Sequence, residues 1–268
     1  MIHKYTDIHP DAKIAENVRI DAFTSIEADV EIGEGSWIGA NVTIHDGARI
    51  GKNVRIYSGA VISAAPQDLK YKGERTFAII GDNSIIREGV TFNRGTAASG
   101  ETRMGKNGLL MAYSHIAHDC VLGDHVIIAN ATLLAGHIFV DDWAILGGMC
   151  AIHQFVRIGK HVMLGGVSGV NKNIPPFTIA SRTPAYYFGL NIVGLRRRNY
   201  TSEQITIIKD MYEILYSKSL SLSQAIKEID SYFPPSSEKD ELVKFLKESD
   251  KGIIRPRLQA DSEEEFLG

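Results

Sequence analysis

One spacing dominates the first two thirds of this 268-residue chain: an aliphatic residue every six positions. Ile2, Ile8, Ile14, Ile20, Ile26, Ile32, Ile38, Ile44, Ile50, Ile56 and Ile62 succeed one another without a break. The same phase returns at Ile80, Ile86 and Phe92, then runs from Met104 through Leu110, Ile116 and Leu122 to Leu164 and Val170. Of the 29 positions in this register, 26 carry Ile, Leu, Val, Met or Phe, and the exceptions are Asp68, Glu74 and Ala98. A helix repeats every ~3.6 residues and a strand every ~2, so neither accounts for a strict six.

Turn formers fill the intervals, as in IGEGSW, IGKNVR, IGDNSI and LGDHVI. Short strand, tight turn, short strand is the natural reading, with corners held by residues that tolerate positive φ. Three hexads close one triangular coil of about 18 residues, and successive coils stack at about 4.8 Å as a parallel β-helix. The repeated aliphatic points inward on its equivalent in the next coil. Two stretches break the pattern, 63–79 and 95–103, and because the phase survives both they read as loops leaving a continuous prism.

The repeat fades after Val170. Residues 174–188 read as an irregular connector, and helical patterning follows. Thr201 with Gln204 and Ser221 with Gln224 form capping boxes ahead of amphipathic runs, Pro234-Pro235 interrupts, and Leu242, Val243, Phe245 and Leu246 mark a third helix. The expected division is a β-helix over 1–188 and a small helical domain over 189–268, with a mobile tail from about 256.

Composition narrows the function. A net charge of −3 argues against a generic nucleic-acid binder. Two cysteines, Cys120 and Cys150, suit a reducing, cytoplasmic setting. Neither a signal peptide nor a transmembrane run is visible. A prism packed with aliphatics has no interior pocket, and its flat faces offer no concavity. Clefts therefore arise most simply between prisms set side by side, and a homotrimer would supply three equivalent ones.

Six of the nine histidines fall between 115 and 161. At 18 residues per coil, Gly136 stacks above His118 and Gln154 above Gly136, with His137 and His153 one residue to either side. Such a column is an outward polar site.

These segments resemble the UDP-N-acetylglucosamine acyltransferase family of hexapeptide-repeat transferases. The resemblance rests on PQDLKY (66–71), HIAHDC (115–120), LLAGH (133–137), GGMCAIHQF (147–155), HVMLGGVSGV (161–170) and FGLNIVGLRRR (188–198). It implies a left-handed β-helix followed by a helical C-terminal domain. It implies transfer of a (3-hydroxy)acyl chain from the phosphopantetheine of acyl carrier protein to UDP-N-acetylglucosamine, the first step of lipid A biosynthesis, with no bound cofactor or metal. The family's general base maps onto His118 with Asp119 as partner, and Gly136 is positioned to donate its N–H to the oxyanion. On a regular strand neighbours face opposite ways, so Asp119 orients His118 only if a corner lies between them. Matching positions for substrate binding are Gln67, Asp68, Lys70, His115, His137, His153, Gln154, Asn191, Arg197 and Arg198. Gly166 matches the position that measures the acyl chain. Val193 departs from the family, many members of which carry a glutamate there, so the acceptor group, hydroxyl or amine, stays open.

Three rivals remain at this point. A related N-acyltransferase usually carries a uridine-binding domain before the repeat, whereas here the repeat starts at Ile2. A zinc enzyme like γ-class carbonic anhydrase would use His115, His118 and His137 across a subunit interface, but it gives PQDLKY and the C-terminal helices no role. An inactive scaffold is the third.

Overall fold

The computed structural model describes residues 1–217 and 219–257. Among them the strands form three sheets of nine, eight and ten members, the faces of a left-handed triangular prism. The first face runs from Asp7–Ile8 to Gly169–Val170, the second from Lys13–Ile14 to Arg157–Ile158, and the third from Arg19–Ile20 to Tyr186–Leu190. Most strands are two residues long, and each pairs in parallel with the strand one coil on, as Ile26 does with Ile44 and Ile116 with Leu134. The inward positions fill the axis: Ile38, Ile44, Ile56, Ile62, Ile86, Leu110, Ile128 and Leu146 are fully buried. Removing such a side chain to Ala costs roughly 2–5 kcal/mol, so the ladder itself is the main source of stability.

The corners refine the expected turn chemistry. Positive φ falls on the third residue after the inward aliphatic, at Asn17, Asn41, Asn53, Asn83 and Asn107 among others. The glycine directly after the aliphatic answers a different need. A Cβ on Gly33 would stand 2.6 Å from the Gly51 carbonyl one coil up, so close approach of backbones excludes any side chain there.

Both excursions are shorter than the pattern suggested. Strands Val61–Ala64 and Phe77–Ile80 leave a first loop of 65–76, and Thr91–Asn93 and Glu101–Met104 leave a second loop of 94–100. Ala78 pairs with Ala48 and Phe77 with Glu101, so the flanking residues satisfy their backbone groups in the sheet despite their irregular side-chain pattern.

Residues 174–188 are not an irregular connector. Thr178–Ser181 continues the third face in parallel with Met163–Leu164, and Tyr186–Leu190 returns antiparallel to it. Among the described residues four helices follow: α1 (Ile192–Arg197), α2 (Ser202–Leu215), α3 (Leu222–Tyr232) and α4 (Ser237–Lys247). Thr201 and Ser221 form the two expected capping boxes. A second apolar core joins Phe177 and Leu195 to Ile208, Met211, Leu215, Ile229, Leu242 and Phe245. Arg157 ties the second face to Glu248 at 2.7 Å, and the Tyr187 amide donates to the Arg255 carbonyl at 3.0 Å. Arg255 and Pro256 thus lie along the prism, and the rest of the expected tail, 258–268, lies outside the described residues. No helix among the described residues is long and apolar enough to cross a membrane.

Candidate active site

The chain passes from the first face to the second once per coil, and the polar features of the sequence crowd onto that one corner. In ascending order it carries the 65–76 loop, the 94–100 loop, His118-Asp119, Gly136-His137 and His153-Gln154-Phe155.

Asp119 has φ 60°, so the corner lies between it and His118 and turns both side chains to the same side. His118 Nδ1 and Asp119 Oδ2 are 2.7 Å apart. His118 is 5% exposed and Asp119 2%, yet neither joins the aliphatic core; they lie outside the column under the second loop. Thr96 closes over the carboxylate, donating its amide to Oδ1 at 2.9 Å and its hydroxyl to Oδ2 at 2.7 Å. The Ser99 hydroxyl abuts Oδ1, and the Asp119 amide donates to Thr102 Oγ1 at 2.8 Å. Burial alone would push the Asp119 carboxyl up, but bonds from Ser99, His118 and Thr96 outweigh it and hold the group at about 2. Asp119 is therefore a carboxylate at neutral pH, and it fixes the imidazole with its proton on Nδ1. His118 Nε2 has no hydrogen-bond partner among the described residues.

Gly136 sits one coil above, and its absent side chain is what makes room for the imidazole. Its amide has no acceptor among the described residues. His137 donates its backbone amide to the His118 carbonyl at 3.0 Å and stands edge-on to the His118 ring with centroids 5.1 Å apart. Phe155 stacks on His137 from the next coil at 4.6 Å. His115 faces Thr91 Oγ1 at 2.7 Å, and burial, then the neighbouring His118, lowers its pKa. The other histidines of this region lie elsewhere. His125 stacks on Trp143 at 3.7 Å, and His161 packs beside Phe177, on the corner between the second and third faces.

His153 and Gln154 line an open cleft of about 720 Å³ on the first face, with Ala135, Ala151, Gly169, Val170 and Pro184. Asn191, Arg197 and Arg198 line a different cleft, about 460 Å³, on the third face with Trp143, Met163 and Val193. Asn191 is 7% exposed and already engaged: its Nδ2 donates to the His161 carbonyl at 2.9 Å and its Oδ1 caps α1 at the Gly194 amide, 3.0 Å away. Its evident work is to aim α1, and Arg198 then lies over the Trp143 ring at 5.0 Å. Gln67 and Lys70 are exposed on the first loop, where Asp68 Oδ1 accepts the Lys70 amide at 2.9 Å. Gly166 is exposed, does not have positive φ, and stacks on Gly148 at the corner between the third and first faces, leaving a notch without side chains. Thr96, Ser99 and Thr102 escaped the sequence reading because they lie in or beside an excursion, where spacing gives no register.

His118, Asp119 and His137 hold ligand-type atoms within 4.8 Å of one another among the described residues. His118 Nδ1 is committed to Asp119, and both Asp119 oxygens already accept from Thr96, Ser99 and His118. His115 Nδ1 is turned to Thr91 Oγ1.

Two family models match: bacterial transferase hexapeptide (six repeats) over 29–64, and UDP N-acetylglucosamine O-acyltransferase, domain 2, over 173–254. A curated relative from Thiobacillus denitrificans, an acyl-[acyl-carrier-protein]–UDP-N-acetylglucosamine O-acyltransferase, is 46% identical over 95% of this chain and 99% of its own. The chain belongs to the UDP-N-acetylglucosamine O-acyltransferase family. Solved members superpose closely. The acyltransferase of Bacteroides fragilis is 47% identical with a TM-score of 0.92, over 95% of this chain and all of that one. That of Francisella novicida is 38% identical with a TM-score of 0.93, over 98% and 96% respectively.

Proposed function

We propose that this protein transfers an acyl chain from the phosphopantetheine thioester of acyl carrier protein to the 3-hydroxyl of UDP-N-acetylglucosamine, the entry step of lipid A biosynthesis, with His118 as general base. The observation that supports the mechanism is the fixed His118–Asp119 pair, whose imidazole lies against Gly136, a residue whose amide has no acceptor among the described residues. Neutral Nε2 takes the hydroxyl proton as the sugar oxygen bonds to the thioester carbonyl carbon. The carbonyl oxygen becomes an oxyanion within reach of the Gly136 N–H. Collapse breaks the C–S bond, and the imidazolium returns its proton to the departing thiolate. No acyl-enzyme and no resident cofactor are called for. Cys120 is no rival nucleophile, because burial pushes its thiol up to about 12.

The site is completed in this reading by a neighbouring copy. Arg197 and Arg198 lie on the third face and His153 and Gln154 on the first, so one prism does not gather them. Between those faces Tyr113, Met149 and Val167 project at 71%, 65% and 65% exposure, an apolar stripe that trimer contact would cover. Asp68 and Lys70 supply a carboxylate for sugar hydroxyls and a cation for the diphosphate. The notch at Gly148 and Gly166 suits a long acyl chain. Two buried, unpaired cysteines suit the cytoplasm.

The test is product mass. Purified protein is incubated with a panel of acyl carrier protein thioesters and UDP-N-acetylglucosamine or its 3-amino analogue. One acyl increment on the hydroxyl sugar supports the reading. No increment from trimeric protein, or one on the amine alone, overturns it.

A further inference from the structure

Glu74 occupies a register position that should point an aliphatic into the core, yet it lies on the first loop with its carboxylate shared between two loops. Oε2 accepts the Lys72 amide of its own loop at 2.8 Å, and Oε1 accepts the Ala97 amide of the second loop at 3.1 Å. Ala97 follows Thr96, which makes two of the bonds to Asp119. On the other side of Thr96, the Gly95 carbonyl accepts from Thr76 Oγ1 at 2.6 Å. Thr96 is thus bracketed, by buried Thr76 at the base of its loop and by Glu74 toward the tip. Tyr71 reinforces the bracket, donating its hydroxyl to the Glu74 carbonyl at 3.1 Å and accepting from Arg94 Nε at 3.0 Å.

We propose that Glu74 is a positioning residue for the reaction: by holding Ala97 it fixes Thr96, and through Thr96 it fixes the orientation of Asp119 against His118. A carboxylate suits this task because its two oxygens take amides from two separate segments at once, which a hydroxyl or aliphatic side chain does not. The loop that carries Asp68 and Lys70 is thereby joined to the loop that holds the catalytic carboxylate. This inference rests on the reading of His118 and Asp119 as the base and its partner.

The experiment is a double-mutant cycle in the full-length protein, with kcat and KM for UDP-N-acetylglucosamine measured separately. Glu74→Ala is expected to lower kcat by about tenfold, the scale of one lost hydrogen bond, and to change KM by less than about twofold. Glu74→Gln keeps an acceptor for the Ala97 amide and should recover part of the loss. In an Asp119→Asn background the effect of Glu74→Ala should shrink below about twofold, because the group it acts through is gone. Equal losses in both backgrounds, or a change confined to KM, would overturn the inference and leave Glu74 as a brace for the first loop. If Asp119→Asn alone retains full activity, the catalytic pair itself fails, and that single variant shows it independently of position 74. Should Glu74→Ala misfold by circular dichroism, Glu74→Leu, close in size but with no acceptor for the Ala97 amide, carries the same cycle.

Discussion

His118 lies flat against Gly136: a Cβ at position 136 would stand 2.4 Å from His118 Cε1 and 2.7 Å from Nε2. Real Cβ atoms do not approach that closely, so Gly136→Ala must displace the imidazole. Position 136 does not have positive φ, so its backbone accepts alanine without strain. Activity should therefore fall far more than stability. We expect a loss in kcat on the order of 100-fold or more, against roughly 1–3 kcal/mol of overpacking in thermal unfolding. Equal activity in alanine and glycine proteins would remove His118 from the reaction.

Much of this arrangement is readable from spacing alone. Eighteen residues per coil place Gly136 over His118, and the six-residue ladder predicts every fully buried isoleucine from Ile20 to Ile86. Spacing also poses the decisive condition, a corner between His118 and Asp119, which φ 60° at Asp119 meets. It is silent where the chain leaves the repeat. Thr96, Ser99 and Glu74 reach Asp119 or its support through loops whose path no periodicity encodes, and the strands at Thr178–Ser181 and Tyr186–Leu190 lack the inward ladder that would announce them. Asn191 is a third kind of case: the family match marks the position, but only its contacts with His161 and Gly194 reveal a helix cap.

The proposed pair, His118 and Asp119, has a paired signature. His118→Ala should cost on the order of 10²–10⁴ in kcat while leaving the sedimentation coefficient unchanged in ultracentrifugation. Asp119→Asn should cost a comparable amount, because an amide in place of the carboxylate allows the imidazole proton to sit on Nε2, the wrong tautomer for a base. With Asp119 held at about 2, its own titration lies far below the working range. A pH–rate profile unchanged by Asp119→Asn, at undiminished kcat, would contradict both assignments.

Stability should carry its own pH signature at Asp141. Burial, then the charge of Glu241, raises this carboxyl to about 6 from an ordinary value of 3.8. With the folded value above the unfolded one, its contribution is most favourable below 3.8 and is lost as pH rises through about 6. The ionised group then costs on the order of 2 kcal/mol at neutral pH. Asp141→Asn should raise Tm at about pH 7.5 and change it little at about pH 4. A variant that loses stability at both values would show that the carboxylate is compensated in place.

Whether reactants meet between copies is decided by mixing inactive proteins. His118 belongs to the corner between the first and second faces, whereas Arg198 lies over Trp143 on the corner between the second and third. If each cleft takes His118 from one subunit and Arg198 from the next, His118→Ala and Arg198→Ala proteins are each inactive alone. Co-refolded at equal concentration, half the subunits supply an intact His118 and half an intact Arg198. About one quarter of the clefts in random trimers then hold both. Activity should return toward about a quarter of the parent value after co-refolding, and not after simple mixing of preformed trimers. No recovery from demonstrably mixed trimers would place both residues in a cleft of one chain, and the flat-faced prism would then need another source of concavity.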